Sequence, residues 1–298
     1  ERLLRDNPKS LLVVYRLAQL YRKWRKPERI HQAYRKWIDA RGGKPTDYQL
    51  VGERLLRRRK LRQALPFLKK AAELGIAEAW LQIADIYQHQ RRELDMKEAL
   101  EKYVEKASNR TRALRSALSR YRATSLTRET TRILEELIKR EPNVRSHYER
   151  LGETYLAQGR REAAFELWRR YVRNSPSTIR GLKTVSGWFE QTGNPELTLK
   201  FYRHWMRGDD TNPQLYRLMG DAYMSLVPRR WSRRRYPGTS IDDAQKHARR
   251  FYQRYLQQAD PSRAELESFA SSMRDSQMWS TAADAYGAIV DSAASGSS

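Results

Sequence analysis

The chain has 298 residues, with 59 Lys+Arg against 35 Asp+Glu and a formal net charge of +24. That length allows about two globular domains or one extended repeat array, and a hydrophobic share of 39% lies above the disordered range, so a thin, elongated core can be built. No stretch approaches the ~18 uncharged apolar residues of a membrane span. The absence of cysteine excludes disulfides, thiolate metal sites and cysteine nucleophiles, and leaves the periplasm and the cytosol equally open.

The chain starts at Glu1 without Met, in what reads as the end of a helix, and it finishes on Ser295-Gly296-Ser297-Ser298. Both ends read as those of a fragment of a longer chain, so a missing leader is uninformative. Between them, apolar residues recur at helical spacing in consecutive frames. The frame at about 11–44 holds Val14, Leu17, Ala18, Tyr21, Tyr34 and Trp37, and 45–76 holds Tyr48, Val51, Gly52, Leu55, Ala64, Leu68 and Ala71. Then 77–110 shows Trp80, Ile83, Ala84, Tyr87, Ala99 and Tyr103, and 111–144 keeps Leu114, Tyr121, Leu134, Leu137 and Pro142. The frame 145–178 is the fullest, with Tyr148, Leu151, Gly152, Tyr155, Gly159, Ala164, Trp168, Tyr171 and Pro176. It is followed by 179–212 (Leu182, Val185, Phe189, Gly193, Tyr202, Trp205) and by 213–262 (Tyr216, Met219, Gly220, Tyr223, Ala248, Tyr252, Tyr255), which carries an insertion at 228–243. The last, 263–296, has Leu266, Phe269, Ala270, Ala282, Tyr286 and Ile289.

The closing prolines Pro142 and Pro176 lie 34 residues apart, and the residues between them resemble the tetratricopeptide (TPR) repeat. That repeat is a pair of helices, A and B, in which small residues such as Gly152 and Ala164 let the two approach while large residues fill the space around them. The stretch from Gln63 through Ala107 is also similar to the Sel1-like repeat, in Ala71-Ala72-Glu73-Leu74-Gly75 and Ala77-Glu78-Ala79-Trp80. No alternating strand-length segment competes. The expectation is an all-α, right-handed superhelical solenoid of about eight antiparallel helix pairs, a single cooperative array over 1–298.

The resemblance implies a ligand groove lined by A helices, mostly at repeat positions 2, 5, 9 and 12. Those positions hold Arg22, Arg112, Arg115, Arg122, Arg180, Lys183, Arg217 and Arg274, against Glu53, Glu78, Asp85, Glu149, Glu153, Glu190, Asp221 and Glu267. The groove is thus close to neutral, with a basic section in the fourth and sixth repeats. Arg112, Arg115, Arg122, Arg180, Lys183 and Arg217, with Tyr148 and Tyr216 nearby, are the candidate contacts to a protein partner with an acidic surface.

Most of the net charge lies in the turns from helix A to helix B, which carry +13 of the +24. The first turn has Arg22-Lys23-Trp24-Arg25-Lys26, the second Arg57-Arg58-Arg59-Lys60, and the seventh Arg229-Arg230-Trp231-Ser232-Arg233-Arg234-Arg235. In a solenoid such turns line one edge, so a basic edge is expected, strongest at both ends. Arg is 44 of the 59 cations, and its planar fork suits phosphate and carboxylate. Solvated decoration, an acidic protein face, and a polysaccharide, nucleic acid or anionic membrane surface all remain open readings of that edge.

The five histidines are scattered over five repeats without metal-ligand spacing. Arg41-Gly42-Gly43-Lys44 lacks P-loop spacing, and no Ser/His/Asp arrangement can be argued. Neither catalysis nor a cofactor or metal is expected. Helix-A residues Gln19, Leu50 and Asp85 stand where a carboxylate clamp needs polar residues such as Asn, which argues against a chaperone-type peptide clamp. The mixed TPR and Sel1-like pattern, the abundant Arg and the missing Cys resemble TPR segments of bacterial exopolysaccharide export proteins. That resemblance implies a periplasmic scaffold that recruits polymer-modifying enzymes.

Overall fold

Every frame read from the sequence closes into two helices. The computed structural model describes residues 7–122, 124, 126–207, 212–226 and 241–295, and the described residues form sixteen helices and no strand. In chain order they are α1 Leu11–Lys23, α2 Pro27–Ala40, α3 Pro45–Arg57, α4 Leu61–Glu73, α5 Ala77–His89, α6 Glu93–Lys106, α7 Arg110–Tyr121 and α8 Thr127–Arg140. Then come α9 Arg145–Ala157, α10 Arg161–Asn174, α11 Thr178–Gln191, α12 Glu196–Met206, α13 Pro213–Ser225, α14 Ile241–Gln258, α15 Arg263–Asp275 and α16 Trp279–Ser295.

Local chemistry sets the helix starts. Ser10, Asn109, Ser177 and Asn212 accept from first-turn backbone N–H groups, and Ser262 with Glu265 forms a reciprocal capping box. Proline opens α3 and α13, where its missing N–H has no helical partner to lose.

Six of the A-to-B turns share one geometry. The second residue after helix A is left-handed: Arg25 (φ 55°), Arg59 (56°), Arg91 (57°), Gly159 (72°), Gly193 (73°) and Gln277 (60°). The N–H of the next residue then reaches back to a carbonyl five residues earlier, as from Lys26 to Tyr21 at 2.9 Å, Lys60 to Leu55 at 2.9 Å and Arg92 to Tyr87 at 2.9 Å. This is the Schellman pattern, which satisfies the last helical carbonyls and starts helix B within three residues.

The chain divides into two compact units, Glu1–Arg140 and Glu141–Ser298. In the first, each helix from α1 to α8 packs on the next along the sequence. In the second, α9 to α14 do the same, α15 pairs with α16, and α11–α13 and α14–α16 pack as second neighbours. The close approach within a pair depends on small residues. A Cβ on Gly152 would lie 2.2 Å from the Trp168 indole, and one on Gly220 would lie 2.3 Å from the Tyr252 ring. Buried B-helix donors are then satisfied by A-helix backbone: Trp168 Nε1 donates to the Tyr148 carbonyl at 3.0 Å and the Tyr202 hydroxyl to the Leu182 carbonyl at 3.2 Å. Around Trp168 in the second unit, Trp188 and Phe189 pack at ring-centroid distances of 5.4 and 4.7 Å. Burial of aromatic area of this kind supplies the main stabilisation.

Candidate functional site

The solvent-facing side of the A helices carries interleaved charge. In the first unit, Glu53 of α3 accepts from Gln49 and Gln82, each at 2.9 Å, and lies 3.7 Å from Arg57. Asp85 of α5 is gripped by both arms of Arg120 on α7, at 2.9 and 3.3 Å. Neither Gln82 nor Arg120 was among the sequence candidates, because they stand at frame positions 6 and 10. Their partners lie about one repeat away, a spacing of 29 and 35 residues. Arg112 and Arg115 are exposed on α7, and Arg122 is exposed just beyond it.

In the second unit, Glu149 and Glu153 sit half-buried on α9. Burial pushes the Glu153 carboxyl above the ordinary glutamate value, and the neighbouring Glu149 charge adds to the rise, against a smaller lowering by Arg150. Arg180 and Lys183 are exposed on α11, and Glu190 is exposed at its end. Arg217 of α13 is half-buried, its guanidinium over the Tyr255 and Phe269 rings at 5.7 and 5.5 Å. Asp221 keeps contact with solvent on one side while packed protein crowds the other, and the lost hydration pushes its carboxyl up. The Tyr252 hydroxyl, donating at 2.8 Å, and the charges of Arg217 and Lys183 oppose that rise.

Two sequence candidates need correction. Tyr148 and Tyr216 do not stand at a surface: they are 0% and 4% exposed. Tyr148 packs on Tyr171 at 5.3 Å and Tyr216 on Phe251 at 6.5 Å. Both occupy the fourth position of their frames, which turns toward helix B. The six cations expected to act with them divide between the units, with Arg112, Arg115 and Arg122 in the first and Arg180, Lys183 and Arg217 in the second.

The basic turns of the first unit form a second surface. Arg57 and Arg59 are exposed, Lys60 is half-exposed, and Arg58 lays its guanidinium 3.9 Å over the Tyr15 ring of α1. Arg22 and Arg58, from the first and second turns, both act on the Tyr34 hydroxyl, whose pKa burial raises and these charges lower. Arg62, at the start of α4, and Arg92 of the third turn, with Leu65 and Gln90, line one open cleft of about 530 Å³. Arg92 also bonds Asp95 at 2.8 Å and covers Tyr87 at 4.7 Å. No described carboxylate pairs with Arg25, Lys26, Arg59, Lys60, Arg62 or Arg91. Trp24 lies beside this row and is 59% exposed. Arg229, Arg230, Trp231, Arg233, Arg234 and Arg235 lie outside the described residues.

Among the described residues, no group of three or more His, Cys, Asp or Glu is placed to hold a metal ion. No helix among them is long and apolar enough to cross a membrane.

These features define an all-α protein of consecutive helix hairpins, three of which set an A-helix glycine against a large B-helix residue: Gly52 with Leu68, Gly152 with Trp168 and Gly220 with Tyr252. Within it, residues 148–178 match the model of the tetratricopeptide repeat family, the segment that holds Gly152 and Trp168. Several solved structures also match parts of the chain. The crystal structure of the MamA protein has 19% identity and a TM-score of 0.38, with 57% of this chain and 94% of that one covered. YrrB, described as a TPR protein with an unusual peptide-binding site, has 16% identity and a TM-score of 0.38 over 62% of this chain and 96% of its own. The Naa15/Naa10 complex bound to HypK-THB matches 89% of this chain and 41% of its own, at 13% identity and a TM-score of 0.48. A search of curated proteins found no match.

Proposed function

We propose that this chain is a non-enzymatic scaffold that holds a protein partner with an acidic surface against its A helices. The observation that carries this is the contrast along the A-helix faces. Several charges there are bound internally, as Asp85 is by Arg120, whereas Arg112 and Arg180 are exposed and have no described carboxylate partner, and exposed Lys183 acts on Asp221 through its charge without a described ion pair. A guanidinium or ammonium left open in this way is ready for a carboxylate from another chain. The finer setting, partner recruitment in a bacterial exopolysaccharide export complex of the periplasm, is supported by the mixed repeat pattern, the Arg-rich composition and the lack of Cys.

A photo-crosslinking side chain in place of Glu190, which is exposed at the end of α11, introduced in the native cell, tests the reading. It should capture a defined protein through an acidic segment, and Arg180→Glu with Lys183→Glu should abolish the capture. Unchanged capture in the double variant would overturn the reading. Fractionating the cells that make the full-length protein tests the setting, since recovery in the cytosol would remove it. A second reading, docking on an anionic surface, is favoured by the unpaired cations of the first three turns.

A further inference from the structure

The first three A-to-B turns break a local rule in the same way. Their left-handed residue is Arg25, Arg59 and Arg91, although glycine is the residue favoured there and this chain uses Gly159 and Gly193 at the equivalent slot of its fifth and sixth repeats. A side chain in that conformation costs roughly 1–2 kcal/mol relative to the right-handed region. The turn hydrogen bonds form equally well with glycine at this slot, and none of the three arginines makes an ion pair with a described residue, so the choice of arginine has no return inside the fold. Gln277 holds the same conformation in the eighth repeat; what sets the first three turns apart is that the strained residue is each time an arginine without an ion-pair partner, and that pattern points to an external one.

The surroundings indicate what kind. Lys26 and Lys60 follow directly, Arg62 and Arg92 line the cleft between the second and third turns, and two apolar side chains stand out among them. Trp24 is 59% exposed and Leu94 is 76% exposed. Trp24 flanks the first turn, and Leu94 lies in the first turn of helix α6, two residues after Arg92 and between Glu93 and Asp95. A soluble polyanion offers a stacking role to Trp24 but none to an aliphatic tip. A bilayer of anionic lipid has a use for both, since headgroups attract the cations while Trp and Leu enter the interface. We propose that the turn row of the first unit, Trp24 to Leu94, docks on anionic lipid headgroups, with Arg25, Arg59 and Arg91 as phosphate contacts and Trp24 and Leu94 as shallow anchors.

This inference is independent of the A-helix reading, and the glycine slots give it a clean test. The full chain is sedimented with vesicles of phosphatidylcholine alone and with about one third phosphatidylglycerol, at low and moderate salt. The wild type should bind only the anionic vesicles. The triple variant R25G/R59G/R91G should melt at the same or a higher temperature, since it removes strain, yet bind anionic vesicles roughly a hundredfold more weakly, about fivefold per cation. R25K/R59K/R91K should keep the binding, and Trp24→Ser with Leu94→Ser should lose the part that survives moderate salt. R180E/K183E should bind vesicles as the wild type does, which keeps failure here distinct from failure of the protein-partner reading. Equal vesicle binding by the wild type and the glycine variant would overturn the proposal. So would an acidic polysaccharide or single-stranded DNA that binds more tightly than vesicles and is indifferent to the Trp24 and Leu94 changes.

Discussion

Gly152 faces the Trp168 indole so closely that an added Cβ has nowhere to go. The nearest ring atoms would lie at 2.2 and 2.3 Å, and the indole is itself fixed by its bond to the Tyr148 carbonyl and by Trp188 and Phe189. Gly152→Ala should therefore cost about 1–3 kcal/mol through overpacking, read as a lower urea midpoint with unchanged slope. A loss under a few tenths would show that the indole can move. Glu153 is strained by charge instead. Its carboxyl pKa is raised by burial and by Glu149, so ionising it opposes folding. The stability of the protonated form is fully present below the ordinary glutamate value and is lost as pH rises through the raised one. Glu153→Gln should then raise the melting temperature at neutral pH, with the gap to wild type closing as the pH falls below the glutamate range. A gap that stays constant with pH would assign the effect to packing.

At the scale of the element, the pairs were legible because two signals repeat along the chain. The small-to-large match Gly152–Trp168 recurs as Gly220–Tyr252, and the left-handed turn residue recurs at the same offset from six A helices. The faces were less legible. Trp188 fills the core of the second unit at a frame position that the repeat pattern does not demand, and Arg120 reaches Asp85 from just outside the expected groove positions. Both depend on how one hairpin sits on the next, which a one-dimensional pattern does not encode. Tyr148 and Tyr216 show the same limit in reverse, being aromatic and close in sequence to charged positions yet turned inward. One element carries a further cost. Pro66 lies inside α4, is exposed, and removes a donor that would otherwise bond the carbonyl of Arg62. Pro66→Ala should stabilise the chain by about 1–3 kcal/mol, visible as slower exchange of the α4 amides. Unchanged exchange would mean that the carbonyl of Arg62 is already well solvated where it stands.

At the scale of the whole molecule, the net charge of +24 sets the balance of long-range forces. The described ion pairs lie mostly at exposed positions, such as Lys70–Glu73 and Arg263–Glu267, and pairs of that kind contribute roughly 0–1 kcal/mol each. The excess cations, by contrast, repel one another over the full screening length, about 30 Å at 0.01 M salt and about 8 Å at 0.15 M. Repulsion summed over many unpaired arginines outweighs a few weak pairs, so added sodium chloride should raise the melting temperature across that range. The opposite slope would mean that partly buried pairs dominate, with Lys97–Glu129 at 2.6 Å, Arg110–Glu136 at 2.6 Å and Arg120–Asp85 at 2.9 Å the first to examine. The glycine variant of the first three turns separates the causes further. With three cations removed, its melting temperature should rise less steeply with salt than that of the wild type, because the repulsion that salt relieves is already smaller.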